Sequence, residues 1–391
     1  MIQAMYTSIT GMKAFQDALS VTSNNIANAQ TVGYKKQKAI FDDLLYQNSV
    51  GSRGDDKYAG TNPKSIGSGV RLSGIDINFA NGSVTSTSGK TDVALQGSGF
   101  FLLGDANGRN PEYTRKGTFG VSTDFRVVNG EGKYVLGYGI DPATGNIDLA
   151  KDPQPIQIPM GTAVGGIKTN NATIKGNIVE GVKIDIPTFD SLGNKIVMEV
   201  TYKNDPANPN NSTYEAVVNG AVVGNGTLTF DNNGNLTNGG TATIQGINVN
   251  MSGLTRYSTG STLKVTDVDG REAAIPTDYS ISNGGYVMVT YSNGITKPIA
   301  QLAVATFPNE KGLMKTGNGN YIDGPAAGIP SLGVARQNGA GDITEKATEG
   351  SNVDLSVEFV DLMVYQKGFQ GNTKVIKIAD DILNDIVNLI R

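Results

Sequence analysis

The chain has 391 residues, a formal net charge of −4, and 38% hydrophobic but only 17% charged residues. That length is enough for two or three globular units with real cores, and the lack of a clustered basic stripe sets aside a nucleic-acid binder. There is no Cys, no His and no Trp, which removes disulfides, every Ser-His or Cys-His nucleophile pair and the usual zinc and iron ligands.

The opening, Met1-Ile2-Gln3-Ala4-Met5-Tyr6, has no basic segment, apolar core or small-residue cleavage site, and the first basic residue is Lys13. No cleavable leader is expected. No apolar run is long enough to cross a membrane. The first predicted element is a helix over about residues 3–28. Ile2, Met5, Ile9, Met12, Leu19 and Ile26 fall on a 3-4 spacing, interrupted by Gln16 and Ser23. This narrow seam suits packing against one or two other helices.

The middle of the chain reads as β structure. Asn-Gly is the strongest short signal for a tight hairpin, because both residues tolerate positive φ. Eleven such pairs run from Asn81-Gly82 to Asn338-Gly339, and none lies in the first 80 or last 50 residues. Alternating segments such as 99–103, 134–137, 195–202 and 286–291 read as strands of barrels or sandwiches. The Pro-rich stretch 152–159 and the segment 295–298 mark junctions around the most Asn/Gly/Thr-rich part. That pattern predicts one domain inserted in another.

The last predicted element is a helix over about residues 352–390. Leu355, Leu362, Phe369, Ile376, Leu383 and Ile390 recur at every seventh position, and Ile378, Ile382 and Ile386 widen the stripe. Ser351 or Asn352 is the expected N-cap. Two ordinary core helices would give the same periodicity. Their separation by hundreds of β residues instead favours ends that are ordered by packing, including packing on neighbouring copies.

Several chemical motifs fail on context. Ser261-Thr262-Leu263-Lys264 reads as a strand, where residues three apart point to opposite faces. Asp267-Val268-Asp269-Gly270 lacks the remaining ligands of a calcium loop. No paired acids face one cleft convincingly, so neither an enzyme nor a cofactor site is expected.

One stretch is more particular: Ser23-Asn24-Asn25-Ile26-Ala27-Asn28-Ala29-Gln30-Thr31-Val32-Gly33-Tyr34-Lys35. It closely resembles the signature after the first helix of bacterial flagellar rod and hook proteins. Glu349-Gly350-Ser351-Asn352-Val353-Asp354-Leu355 and the stretch 366–374 resemble the same family's C-terminal signature, with further echoes at 92–101, 113–119 and 302–313. The motif residues are Asn24, Asn25, Asn28, Gly33, Tyr34, Ser351, Asn352 and Val353. Val32 stands where many members have Pro, and Gly350 where many have a less flexible residue. The long insert favours hook over the shorter rod proteins. Rod-like residues such as Asp43-Leu44-Leu45-Tyr46-Gln47 keep a distal rod subunit as the alternative.

The resemblance implies a multidomain α+β chain. Residues 1–35 and 352–391 would form a terminal helical polymerisation domain with a coiled-coil-like pair. Residues 36–70 and 338–351 would be linkers, 71–148 and 297–337 a first β-barrel or sandwich domain, and 149–296 an inserted outer β domain. Hook subunits leave the cell unfolded through a flagellum-specific type III export apparatus and build a curved tube outside it. The implied partners are copies of itself, the rod, the hook cap and the hook–filament junction proteins, with no nucleic acid and no membrane insertion. Phe41 followed by Leu45 resembles the Phe-x-x-x-hydrophobic export motif of these substrates, and a local hydrophobic contact is the other reading.

Overall fold

A computed structural model describes residues 2–51, 53–54, 59–141 and 145–389. The chain divides into two compact units. The first comprises residues 1–158, 279–288 and 297–391, and the second residues 159–278 and 289–296. Two long helices, α1 (Ile2–Ala27) and α2 (Leu355–Leu389), stand at the ends, with strands between them.

In the first unit the main sheet runs from Met314–Gly317 through Asn320–Ile322, Glu112–Thr114, Phe100–Gly104 and Tyr134–Gly139 to Thr296–Leu302. Its core gathers Phe100, Leu102, Tyr113, Leu136, Phe307 and Tyr321. Edge-on aromatic pairs such as Tyr113–Phe307, with centroids 4.8 Å apart, pack among its aliphatic side chains.

The stretches expected as linkers are hydrogen-bonded β ribbons. Gln37–Asp43 pairs antiparallel with Val70–Ile77, and Tyr46–Ser49 with Lys64–Gly67. Asp342–Glu345 pairs with Val93–Gln96, and Ala347–Glu349 with Val84–Ser86. The polar, glycine-containing composition of these segments hides the ladder, because their partners lie far away in sequence. Asp42 and Asp43 accordingly sit on a strand.

The second unit begins at Pro159, ten residues later than the expected boundary at 149, and Tyr279–Met288 belong to the first unit. Five antiparallel strands follow one another from Lys183–Phe189 to Leu236–Asn238. A second sheet has the order Thr241–Ile244, Ile247–Thr255, Asn171–Asn177, Lys264–Val268, with the middle two parallel. Strict alternation of buried and open positions along Asn211–Val218 and Ile247–Met251 turns one face of each sheet inward. Ile174, Ile186, Met198, Val200, Leu228, Val249 and Met251 meet there in one core. Each fully buried side chain of this size contributes roughly 1.5–3 kcal/mol. Ser261, Thr262 and Leu263 precede the strand that opens at Lys264, and the Ser261 hydroxyl donates to the Asn177 carbonyl at 3.2 Å.

Candidate functional site

α1 and α2 pack antiparallel. The contacts Asn25–Glu358, Phe15–Gly368 and Gly11–Asn372 run in opposite directions along the two helices. The face of α1 turned inward is made of small and polar residues: Ser8, Gly11, Ala14, Ala18, Val21, Thr22 and Asn25. Glycine leaves room for a side chain of the other helix at both close approaches. A Cβ on Gly368 would lie 2.7 Å from the Phe15 ring, and one on Gly11 2.9 Å from the Asn372 amide. Phe15, Phe41 and Tyr365 form a triangle with centroids 6.0–6.2 Å apart, clamping the first ribbon onto both helices.

The expected seam residues flank this small-residue face, and the Thr373 hydroxyl of α2 reaches Met12 Sδ at 3.7 Å. Ile2 and Ile9 are exposed, while Met5, Met12, Leu19 and Ile26 are half-buried. On α2, Leu355 is exposed and Leu362, Phe369, Ile376 and Leu383 are half-buried, and Ile390 lies outside the described residues. Large apolar groups instead face outward. Val360 is 53% and Val364 57% exposed, and Val357, Val375, Ile378 and Ile382 continue that face at helical spacing.

Where the two helices meet the β structure, a buried polar junction joins the two signature stretches. Asn25 uses its whole hydrogen-bonding capacity. Its Oδ1 accepts from the Gln37 amide at 3.0 Å and the Tyr34 hydroxyl at 3.1 Å. Its Nδ2 donates to the Gln37 carbonyl at 2.7 Å and to Glu358 at 2.9 Å. The other oxygen of Glu358 pairs with Lys36 Nζ at 2.5 Å. Burial, together with the Glu358 carboxylate, pushes the Tyr34 phenol up to about 12.

Beside it, Lys35 and Glu349 form an ion pair of 2.7 Å with both side chains 0% exposed. Glu349 also accepts from the Gly82 amide at 2.9 Å, and Arg115 lies 3.7 Å away over the Phe100 ring. Burial, then the neighbouring Arg115, pulls the Lys35 ammonium below its ordinary range, and Glu349 opposes that shift. Gly33 has φ +70°, and a Cβ there would lie 3.0 Å from the Lys116 backbone nitrogen. Its amide donates to the Glu349 carbonyl at 2.8 Å.

Asn352 ties three segments. Its Oδ1 accepts from the Lys36 amide at 2.7 Å, and its Nδ2 donates to the carbonyls of Asn78 and Ala80 at 2.8 and 2.9 Å. Ser351 accepts from the Val353 amide at 3.3 Å. Neither residue caps α2, contrary to expectation. Asp354 does, accepting from Ser356 at 2.8 Å, because α2 opens at Leu355 and Asn352 is already committed to the junction. Asn24 and Asn28 close the end of α1, with Asn28 Nδ2 donating to the Asn24 carbonyl at 2.9 Å. Leu45 is 85% exposed, away from the aromatic triangle that holds Phe41.

Lys35 and Glu349 stand inside the two signatures and Arg115 inside the 113–119 echo, none with a role legible from the sequence, and Glu358 reads from the sequence only as an acid in the first turn of the last helix. The available signal was opposite charge carried by two distant stretches that otherwise match one family. Among the described residues, no group of three or more acids is placed to hold a metal ion, and no helix is long and apolar enough to cross a membrane.

Comparison with known proteins covers the chain nearly end to end. Family models match at residues 5–35 (flagella basal body rod protein), 94–187 (flagellar hook protein FlgE/F/G D1 domain), 181–271 (flagellar basal body protein FlaE D2 domain) and 344–389 (flagellar basal body rod FlgEFG protein C-terminal). The flagellar hook protein FlgE of Borreliella burgdorferi is 32% identical over 442 aligned residues that include all of both chains. The FlgE hook proteins of Salmonella typhimurium and Treponema pallidum are 30% and 27% identical over 98% and 100% of each chain. The crystal structure of Helicobacter pylori flagellar hook protein FlgE2 shares the fold, with TM-score 0.50 and 15% identity over 67% of this chain and 99% of that one. Full-length similarity to hook proteins disfavours the rod alternative. With its paired terminal helices, its inserted β unit and these relatives, the chain belongs to the flagellar hook protein FlgE family and is a hook subunit.

Proposed function

We propose that this subunit works without catalysis, by polymerising through its terminal helices into a curved tube that carries torque from motor to filament as a universal joint. One observation carries the reading: a helix pair tied to the β structure of its own unit by a buried polar junction, with large valines and isoleucines turned outward. A rigid base with an unsatisfied apolar face is suited to packing on other copies. Heterologous contacts that do not close generate a filament instead of a ring.

The half-buried seam residues Met5, Met12, Leu19, Ile26, Leu362, Phe369, Ile376 and Leu383, with the exposed valines, form the packing surface. Long apolar helix contacts resist twist. The outer β surfaces carry few charges and permit small sliding motions as the tube rotates. Unit boundaries near Pro159 and Lys297 separate the two tasks.

The subunit leaves the cell unfolded through the flagellar type III apparatus, and it meets rod, cap and junction proteins at the ends of the tube. Phe41 is enclosed by Phe15 and Tyr365 once folded, so an export signal at Phe41 and Leu45 would be read before folding. Electron microscopy of hooks from cells carrying Val364→Asp tests the reading. Loss of hooks with a normally folded secreted monomer is the expected result, and normal hooks would overturn it.

A further inference from the structure

The eleven Asn-Gly pairs lie outside the assembly argument. Such pairs are chemically distinctive too, since a glycine amide meets no Cβ of its own when it approaches the preceding asparagine Cγ. In several pairs the fold occupies one reacting group. The amides of Gly108, Gly234 and Gly294 donate to backbone carbonyls at 2.9–3.0 Å, and that of Gly82 donates to buried Glu349. The Asn129 oxygen accepts from Glu131 and Lys133, and that of Asn283 from Glu345. Asn219, Asn318 and Asn338 have φ of 51–52° and are each followed by a positive-φ glycine, as in tight hairpin turns.

Asn238 differs. It is exposed, and the Gly239 amide donates to the side-chain oxygen of Asn238 itself at 2.9 Å. That contact sets the nitrogen beside the carbon it would attack. Gly239 has φ +85°, and a Cβ there would lie 2.5 Å from the Thr227 carbonyl oxygen, so the position is held by glycine. The pair also sits at a sensitive place. Leu236–Asn238 is the last strand of one sheet of the second unit, and Thr241–Ile244 is an edge strand of the other.

We propose that Asn238 is a site of spontaneous deamidation, a slow covalent modification of the crossover between the two sheets of the second unit. The Gly239 nitrogen loses its proton as it bonds to Asn238 Cγ. The Cγ–Nδ2 bond breaks, ammonia leaves, and a succinimide forms. Water then opens the ring at either carbonyl, giving aspartate or isoaspartate, with no oxidant or reductant involved. Either product adds a carboxylate to a weakly charged surface, and the isoaspartyl product also lengthens the crossover backbone by one methylene.

The test is to age the purified full-length protein at mildly alkaline pH, folded and in urea, and to locate the mass gain by fragment-ion mass spectrometry. Folded protein is expected to deamidate at Asn238 several-fold faster than at Asn219, Asn318 or Asn338, with the ranking collapsing in urea. Asn238→Gln should remove that fast component. Equal or slower reaction at Asn238 in the folded protein, or the same ranking in urea, overturns the proposal.

Discussion

The second β unit and the terminal helix pair solve the problem of burying apolar surface in opposite ways. The β unit closes on itself, with Ile174, Ile186, Met198 and Val200 at 0% exposure in a core built from its own two sheets. The helix pair spends small residues on its internal contact and leaves Val357, Val360, Val364 and Ile378 outside. A region that satisfies itself can fold and vary alone. A region that holds its large side chains outward is completed by something else, and in a hook subunit the natural completion is the next copy.

The largest expected effect that would break this contrast is on assembly. Val364→Asp should abolish tube formation while shifting monomer stability by no more than about 0.5 kcal/mol, as for surface substitutions generally. Sedimentation and thermal melting of the same sample read both quantities, and a destabilised monomer would mean that the face is internal after all. Next is the junction. Glu349→Ala leaves Lys35 and Arg115 buried without their carboxylate, and should cost about 3–5 kcal/mol in urea unfolding. A loss under 1 kcal/mol would show the pair to be dispensable.

In the second unit, Met198→Ala should cost about 2–5 kcal/mol and leave assembly through the helices intact at temperatures where that unit remains folded. Failure of assembly there would deny the division of labour. Alkali provides a subtler probe. Tyr34, raised to about 12, and the raised phenols of Tyr113, Tyr202 and Tyr321 ionise later in the fold than in the unfolded chain, where tyrosine titrates near 10. Their stabilisation is fully present below about pH 10 and is lost as pH rises toward 12. The depressed Lys35 and Lys315 act in the opposite direction. With no Trp in the chain, tyrosinate absorbance reports the titration directly, and a phenol titration complete before unfolding begins would contradict the burial argument. The smallest effect is expected at Lys183, whose open ion pair with Glu199 on the second unit spans 2.7 Å. Lys183→Ala should leave the thermal melting of the subunit essentially unchanged, because an exposed pair is screened by solvent.

Legibility in the sequence followed the range of the interactions. Helix periodicity is local, so α1 and α2 were readable to within a few residues, as were strands such as Lys195–Asn204 and Tyr286–Tyr291. The ribbon of Gln37–Asp43 with Val70–Ile77 was not, because its ladder bonds join segments about thirty residues apart through a polar stretch. The small-residue contact between α1 and α2 was hidden for a related reason. Hydrophobicity names the large side chains, but the closest helix approach is permitted by Gly11 and Gly368, which carry no hydrophobic signal.

The sequence alone determined the helical ends, the β middle, the absence of histidine and cysteine chemistry, and the family signatures, since each is a matter of local pattern or composition. Only the tertiary structure decided that Lys35 meets Glu349 from 314 positions away, that Asp354 and not Asn352 caps α2, and which helix face stays open. Those outcomes depend on which donors, acceptors and surfaces remain unclaimed after every segment has found its partners, and no single stretch of chain carries that information.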